Sequence, residues 1–270
     1  MPDYPPTDNP LARRTFLKNA ALVAGGAAAG ATGFGAWMRG GKTPPSADAS
    51  RRSTLAGSGL DSPRVFSEVQ TKENVVALTF DDGPSPITNA LLNVLDRLGV
   101  RATFNIVGSH VLTQTDALRR MNKHEIGNHT WTHRSLAGLN AAEVDSELRQ
   151  TDELIERVTR RRPRYVRPPG GDVSPELLAS ASQFGYDVLL WSMQLHSPTN
   201  PLLDPVAYVV DHVRPGSIIM AHDAESDVEN KFPLLSVLQP IITAVRARGF
   251  ELVTVSELLS AGNPVLGDVL

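Results

Sequence analysis

The sequence predicts an α/β fold in which a parallel sheet of about seven strands curls into a closed or nearly closed barrel. Two observations favour this fold class. Short apolar or β-branched runs alternate with amphipathic helical patterns along residues 64–270. About seven such β/α units fall within one domain-sized stretch of chain. An open, doubly wound parallel sheet is the alternative arrangement of the same units.

The strands and helices are predicted from these patterns in chain order. Seven apolar runs predict strands at residues 75–80, 102–107, 125–128, 165–167, 188–191, 217–221 and 252–255. Helical spacing predicts helices at residues 87–98, 117–122, 142–158, 175–184, 205–213 and 234–248. The apolar face of the first helix consists of Leu91, Leu92, Leu95 and Leu98. Asn140 is placed to cap the long third helix.

Composition and charge narrow the class of protein. The 270-residue chain is 41% hydrophobic and 20% charged, which is typical of a globular protein with a sizeable core. Its formal net charge of −3 and the lack of a long Lys or Arg run argue against nucleic acid as a partner. Because the chain has no Cys, disulfides and thiolate chemistry are excluded, and any metal must be held by His, Asp or Glu.

Residues 1–39 resemble a bacterial twin-arginine export signal. Arg13 and Arg14 precede an Ala/Gly-rich apolar stretch at residues 20–37. An amphipathic first helix is the alternative, but the many Gly residues disfavour it. A permanent membrane anchor is a second alternative, which the modest hydrophobicity of the stretch disfavours. Residues 40–63, rich in Gly, Pro, Ser and Thr, are predicted to be a flexible linker.

This signal sets the expected location and partners. We expect the twin-arginine machinery to carry the protein across the bacterial inner membrane, to the periplasm, the cell wall or the medium. Contact with the membrane is expected only through the signal segment, which would anchor the chain if it stayed uncleaved. No feature of the sequence indicates an oligomeric state.

Polar motifs follow five of the predicted strands. Asp81 and Asp82 follow the first strand, and the segments GNHTWTH, RPPGGD, WSMQ and AHD follow the third to sixth strands in order. The carboxyl ends of the strands in a β/α barrel meet on one face, where active sites lie. We therefore expect these distant segments to form one pocket.

A metal site is expected in this pocket. His129 and His133 have i and i+4 spacing, which would place two imidazoles on one side of a helical turn. Asp81 and Asp82 lie on a neighbouring strand end, although an Asp-Asp-Gly segment alone is more often a simple turn. A His/His/Asp site would neutralise one Asp and leave the other as a base. The remaining histidines are expected to serve packing or hydrogen bonding: His110, His124, His196 and His212.

Four motifs together resemble a known family. The segments TFDDGPSP, NHTWTH, RPPGG and IIMAHD, in that order, are similar to the motifs of the polysaccharide deacetylases, carbohydrate esterase family 4. The resemblance covers residues 75–255. It implies a distorted (β/α) barrel and the metal-dependent removal of acetyl groups from N-acetylated or O-acetylated sugars.

The resemblance also implies a role for individual residues. One divalent ion, zinc in the first place and otherwise cobalt, manganese or nickel, would be bound by Asp82, His129 and His133. Asp81 would be the general base, His222 the general acid, and Arg167 would orient Asp81.

Further residues are expected to contact the sugar. A backbone N–H near Gly170 is expected to face the developing oxyanion. Trp191 and Met220 are expected to form an apolar pocket for the acetyl methyl group, with ordinary core packing as the alternative. Pro169, beside Gly170, completes the predicted substrate-binding set.

The chain departs from the family pattern at two places. Gly170 stands where the family usually has an aromatic residue, so one wall of the sugar groove is expected to be more open. Gln194 and Ser197 stand where an Asp that supports the catalytic His is normal. Asp223 is a candidate substitute for that Asp, but adjacent strand residues point to opposite faces, which disfavours contact with His222.

Three functions are consistent with these residues. The favoured one is an exported deacetylase of N-acetylated cell-wall polysaccharide, acting on peptidoglycan or on chitin oligomers. An O-acetyl xylan esterase is the second, since an alcohol leaves more readily than an amine. A carbohydrate-binding pseudoenzyme is the third, and the complete set of predicted catalytic and metal-binding residues argues against it.

Overall fold

The computed structural model describes residues 62–196, 200, 202–223 and 233–267. Within these ranges the strands are β1 (Val65–Gln70), β2 (Val75–Gly83), β3 (Thr103–Ile106), β4 (Glu125–Asn128), β5 (Tyr165–Val166), β6 (Asp187–Leu189), β7 (Met193–Gln194), β8 (Ile218–His222), β9 (Glu251–Val253) and β10 (Asn263–Leu266). The α-helices are α1 (Thr88–Leu98), α2 (Gly108–Val111), α3 (Thr115–Arg120), α4 (Ala141–Thr159), α5 (Pro175–Phe184), α6 (Pro205–His212), α7 (Leu234–Ala247) and α8 (Val255–Ser260). The predicted export signal, and all but the last two residues of the predicted linker, lie outside the described residues.

The strands form one curled sheet in the order β10-β1-β6-β5-β4-β3-β2-β8-β7, and β9 also pairs with β2. All neighbours from β1 to β7 along this path are parallel, whereas β10 is antiparallel to β1. From β2 to β6 the strands follow sequence order without the reversal of a doubly wound sheet. A bridge between Glu68 and Ser217 brings β1 back to the start of β8. The predicted distorted barrel is confirmed.

The helices cover the sheet with the faces that the sequence predicts. Leu91, Leu92 and Leu95 of α1 are buried, and Leu98 packs at the edge of the same core. Asn140 caps α4 as expected: its side chain accepts a hydrogen bond from the Glu143 N–H, and the Glu143 side chain accepts one from the Asn140 N–H. Across the described part of the chain, none of the helices has the length and apolar character of a membrane span.

Three strands were not predicted, and each lacks a clear sequence signal. β1 interrupts its apolar positions with Ser67 and Glu68, and β7 has only two residues. β10 contains Pro264, which removes a backbone donor and is unusual inside a sheet. Pairing with neighbours that are distant in the chain, rather than local pattern, holds these segments extended.

Candidate active site

The carboxyl ends of β2, β4, β5 and β8 meet on one face of the sheet, as predicted. Direct contacts or strand pairing connect all six residues that were expected to carry the chemistry: Asp81, Asp82, His129, His133, Arg167 and His222. Several segments of the chain therefore contribute to one site.

The two adjacent carboxylates lie within the last residues of β2, rather than after it. The strand was expected to end at residue 80, because two Asp residues followed by Gly and Pro are typical of a turn. Asp81 instead pairs with His222 of β8, and the ladder with β3 resumes at Gly83 after an irregularity. Asp82, inside that irregularity, has a left-handed φ of 70°. A bulge of this kind changes the direction of a side chain, so two consecutive residues can serve one pocket.

Asp81 is buried and held by two donors. Its Oδ1 accepts hydrogen bonds from Nη1 of Arg167 at 2.8 Å and from Nδ2 of Asn105 at 2.7 Å. Burial raises the pKa of Asp81, but the positive charge of Arg167, the nearby imidazoles and the Asn105 hydrogen bond together outweigh burial and leave that pKa below its usual range. Asp81 is therefore ionised at neutral pH, and its carboxylate is hydrogen-bonded to Arg167.

Arg167 is itself fully buried, with a rigid set of partners. Its guanidinium donates to Thr79 Oγ1 at 2.7 Å and to the carbonyl oxygens of Leu189 at 3.3 Å and Leu190 at 2.8 Å. Burial lowers the pKa of Arg167, and the charge of Asp81 acts in the opposite direction. Because the guanidinium has almost no freedom to move, the carboxylate that it holds is fixed as well.

Asp82, His129 and His133 form a cluster of three ligand atoms. Oδ1 of Asp82 lies 3.0 Å from Nε2 of His133 and 3.4 Å from Nε2 of His129. Nδ1 of His129 lies 2.6 Å from the Arg167 carbonyl oxygen, so Nδ1 donates a hydrogen bond to that oxygen and Nε2 is the nitrogen that faces the cluster. A proton on Nδ1 is what metal binding through Nε2 requires.

The cluster fits a divalent metal ion. Asp82 Oδ1 is buried and has no hydrogen-bond partner of acceptable geometry, although His133 Nε2 is near. Close approach without a well-formed hydrogen bond is typical of ligand atoms that point at a shared centre rather than at each other. Ligand atoms about 3.3 Å apart are also what a tetrahedral ion with bonds of about 2.0 Å requires. Two nitrogens and a carboxylate oxygen suit zinc and other first-row divalent ions.

The electrostatics of the cluster in the absence of an ion agree with this fit. Burial raises the pKa of Asp82, but the two neighbouring imidazoles outweigh burial and hold that pKa well below its usual range. The Asp82 carboxylate in turn raises the pKa of His133. A bound cation would replace the proton of His133, which makes ion binding dependent on pH.

The segment that carries the two histidines is a loop, so the predicted helical turn is wrong. Thr130 and His133 have left-handed φ values of 70° and 59°. Neither residue makes the i to i−4 backbone hydrogen bond of a helix, since the N–H of Thr130 donates to Asn128 Oδ1 and that of His133 donates to Thr130 Oγ1. The imidazoles converge, as expected, through side-chain hydrogen bonds to the loop backbone rather than through helical geometry.

Comparison with known proteins identifies the family. Residues 68–189 match a profile of the polysaccharide deacetylases. Over 198 residues the chain is 30% identical to the peptidoglycan-N-acetylglucosamine deacetylase of Bacillus cereus, an alignment that covers 71% of this chain and 91% of that protein. The chain belongs to the polysaccharide deacetylase family.

Two more relatives show how far the similarity extends. A chitooligosaccharide deacetylase of Bradyrhizobium is 34% identical over 190 residues, which is 66% of this chain and 87% of that protein. The peptidoglycan-N-acetylmuramic acid deacetylase PdaC of Bacillus subtilis is 34% identical over 197 residues, or 70% of this chain and 40% of PdaC. The solved PdaC structure superposes with a TM-score of 0.59 over 72% of this chain and 93% of that structure.

His222 belongs to β8, which pairs with one edge of β2, whereas Arg167 follows β5, which lies beyond the other edge of β2. His222 is the last residue of β8 and interacts electrostatically with Asp81, its direct partner in the ladder between β2 and β8. Side chains of directly paired strand residues lie on the same face of a sheet. This deacetylase-family chain therefore places its candidate acid next to its candidate base.

The predicted substrate-binding residues lie around this face. Pro169 is buried and Gly170 is exposed, in a short turn after β5. Gly170 has a φ of 68°, which favours glycine over the aromatic residue that is usual in the family. Trp191 is half-buried, with its ring 5.7 Å from the Arg167 guanidinium carbon, and Met220 is buried in β8. Their contact with a sugar stays a prediction.

The structure describes one of the two altered positions and also locates Asp223, the candidate substitute for the missing Asp. Gln194 ends β7 and pairs with Met220, two residues before His222, whereas Ser197 lies outside the described residues. Asp223 is fully buried; its two oxygens accept hydrogen bonds from Ser85 Oγ at 2.9 Å and Thr88 Oγ1 at 2.5 Å. The Asp223 carboxylate thus holds the connection from β2 to α1, which disfavours a role in supporting His222.

Several polar residues at the site were not singled out as site residues from sequence. Asn105 occupies a fully buried strand, and Glu147 lies on the buried face of α4; in each case the available signal was a polar residue at an apolar position. His110, expected to be structural, is exposed, and its Nδ1 lies 2.7 Å from the Asp82 carbonyl oxygen. His124 is buried as expected, and burial lowers its pKa to about 4.

Proposed function

We propose that this protein is an exported, metal-dependent hydrolase that removes acetyl groups from N-acetylated sugars of cell-wall polysaccharide. The observation that carries the proposal is the position of ionised Asp81, fixed by Arg167 and paired with His222, beside the cluster of Asp82, His129 and His133. A base, an acid and a metal site within one face are what amide hydrolysis requires.

As a general base, Asp81 is suited to a water molecule whose pKa has been lowered. A divalent ion at the cluster, which we propose to be zinc, would supply Lewis acidity to the acetyl carbonyl and lower the pKa of the attacking water. Asp81 has a pKa below its usual range and is therefore a poor base for ordinary water. With an ion bound, Asp81 would accept the proton of the attacking water, while Arg167 holds the carboxylate in place.

The leaving group determines the role of His222. Attack of water on the acetyl carbon gives a tetrahedral oxyanion, for which a backbone N–H near Gly170 is the proposed donor. The carbon–nitrogen bond breaks only when the nitrogen receives a proton, because an amine anion is a very poor leaving group. His222 donates that proton, and the products are acetate and the free amino sugar.

The relatives favour N-acetylated sugars as the substrate. The proteins that align with this chain are named as deacetylases of peptidoglycan N-acetylglucosamine, of peptidoglycan N-acetylmuramic acid and of chitooligosaccharides. Peptidoglycan is the first candidate and chitin oligomers are the second. Trp191 and Met220 are proposed to enclose the acetyl methyl group.

Acetate release tests the proposal. The purified chain is stripped with a chelator, reloaded separately with zinc, cobalt, manganese or nickel, and assayed on peptidoglycan fragments, chitin oligomers and O-acetylated xylan. We expect metal-dependent release from an N-acetylated substrate and a loss of about 10²–10⁴-fold in Asp81→Asn, the range of general-base catalysis. The proposal is rejected if no N-acetylated substrate is cleaved with any of the ions.

The altered positions 194 and 197 support two alternatives in the same assay. Gln194, where an acid is usual in the family, leaves a neutral side chain near His222 on β8. Preference for O-acetylated xylan would identify an esterase, whose alcohol leaving group needs less protonation. Binding of glycans without acetate release would identify a carbohydrate-binding pseudoenzyme.

A further inference from the structure

Glu147 is an acidic residue on α4 that is only 4% exposed, and its carboxylate accepts hydrogen bonds from residues in and directly after the loop that carries the two histidines. Its Oε2 accepts from the backbone N–H of Trp131 at 2.9 Å and of Thr132 at 2.8 Å. Its Oε1 accepts from Thr132 Oγ1 and from Arg134 Nε, both at 2.9 Å. One buried carboxylate thus binds three residues of one short segment: Trp131, Thr132 and Arg134.

These bonds complete the hydrogen bonding of the loop backbone. Four consecutive N–H groups, at residues 130–133, donate to side-chain oxygens: Asn128 accepts the first, Glu147 the second and third, and Thr130 the fourth. Glu147 is the one acceptor of these that belongs to a separate element of the fold. Glu147 therefore ties the N–H groups of the loop to α4, while the carbonyl oxygens of Thr130 and Trp131 accept hydrogen bonds from the start of α2.

The loop needs such an anchor because its backbone is strained. Left-handed φ values at Thr130 and His133 each cost on the order of 1–3 kcal/mol for residues other than glycine. The ring of His133 is 42% exposed, so packing alone does little to fix it. Without external acceptors, the N–H groups of Trp131 and Thr132 would favour a different loop conformation.

We propose that Glu147 is a positioning residue of the metal site, whose carboxylate holds the loop so that His133 meets His129 and Asp82. This inference rests on the proposed metal site. Glu147 does not contact the ion or the substrate; it acts through the backbone between the two histidines. The ion pair with Arg134 is a separate contact, since the Arg134 side chain is 46% exposed and lies beyond His133.

Metal affinity separates this role from simple stabilisation. We compare Glu147→Gln with Arg134→Met, which removes the ion pair but keeps the two backbone bonds. Loss of residues that orient metal ligands weakens binding by about 10–100-fold, and we expect a zinc affinity loss of that size in Glu147→Gln. Arg134→Met should change the affinity by less than about fivefold, as for a partly exposed ion pair.

The measurement is chelator competition for zinc on the folded, stripped full chain, together with the absorption spectrum of the cobalt-loaded chain. A shifted cobalt spectrum in Glu147→Gln, unchanged in Arg134→Met, would support a change in ligand geometry. If Glu147→Gln does not fold, Glu147→Asp replaces it, since the shorter side chain keeps the charge but not the reach. Parent-like affinity and spectrum in the folded Glu147 variant would overturn the proposal. If the parent itself binds no ion, the metal site and this inference both fail.

Discussion

Asp81 of β2 lies directly opposite His222 of β8 in a parallel ladder. Adjacent strands are about 4.8 Å apart, so the proposed base and acid are separated by one strand spacing. Asp81 and His222 come from distant parts of the sequence, and Arg167 contacts Asp81 from the end of a third strand, β5. The strand register, rather than any loop, sets the relative position of the proposed base and acid.

The proposed metal site predicts a strong effect of His133→Ala. This change leaves two protein ligands, Asp82 and His129, so we expect zinc affinity to fall by more than about 100-fold, beyond the usual effect of residues that only orient ligands. Metal content after gel filtration and chelator competition measure it. His212→Ala is the matched control, because that exposed histidine bonds to a carbonyl of its own helix. Equal metal content in parent and His133→Ala would show that the ligand set is wrong.

Asp223 predicts a pH dependence of stability in the metal-free protein. Burial raises the pKa of Asp223 to about 6, and its hydrogen bonds from Thr88 and Ser85 only partly oppose this. The folded state therefore holds the proton more tightly than the unfolded state, and this contribution to stability, present below about pH 4, is lost as pH rises through 6.

The test compares Asp223→Asn with the parent by urea unfolding in a chelator between pH 4 and 7.5. Asn keeps hydrogen bonding to the two hydroxyls but does not ionise, so the variant should gain stability relative to the parent as pH rises, by on the order of 3 kcal/mol at most. Asp211→Asn, at an exposed position on α6, should show no such trend. A difference between Asp223→Asn and the parent that does not change with pH would contradict the prediction.

Gln194 predicts a difference between amide and ester substrates. Gln194 pairs with Met220, two residues before His222, and therefore lies on the same face of the sheet. In Gln194→Asp a nearby carboxylate would stabilise the protonated imidazole, so the alkaline limb of kcat/KM for amides should move up by on the order of one pH unit. Ester cleavage should respond less, since an alkoxide leaves with less protonation.

Matched variants separate charge from size in this prediction. Gln194→Asn shortens the side chain without adding charge and should leave the limb in place. Ser197→Asp tests the second altered position in the same way. If the alkaline limb of kcat/KM stays in place in both Gln194→Asp and Ser197→Asp, and both variants still bind metal, the residues at these positions do not tune the pKa of His222.

The export proposal concerns residues 1–39, which lie outside the described residues. Arg13 and Arg14 precede the apolar segment in the order of a twin-arginine signal. Changing both to Lys should retain the protein in the cytoplasm, measured by cell fractionation with an antibody to the chain. The control is Lys18→Arg, which keeps the charge at position 18 and leaves Arg13 and Arg14 in place. Unchanged export of the double-Lys variant would exclude this route.

Local patterns in the sequence determined most of the secondary structure and the residue types of the site. β4 and α5 have the bounds predicted for residues 125–128 and 175–184, because apolar spacing and the residues that flank these elements specify them locally. The order of the motifs along the chain also placed the polar residues at strand ends. Composition alone excluded Cys as a metal ligand.

The tertiary structure decided which groups touch and how the histidine loop is shaped. Asp81 and Arg167 are 86 residues apart in the chain, and no local periodicity links them. The hydrogen bonds from Trp131 and Thr132 of the histidine loop to Glu147 likewise depend on α4 packing beside β4. Helical and strand periodicity report only neighbouring residues, whereas these contacts exist only once the strands have paired and the sheet has curled.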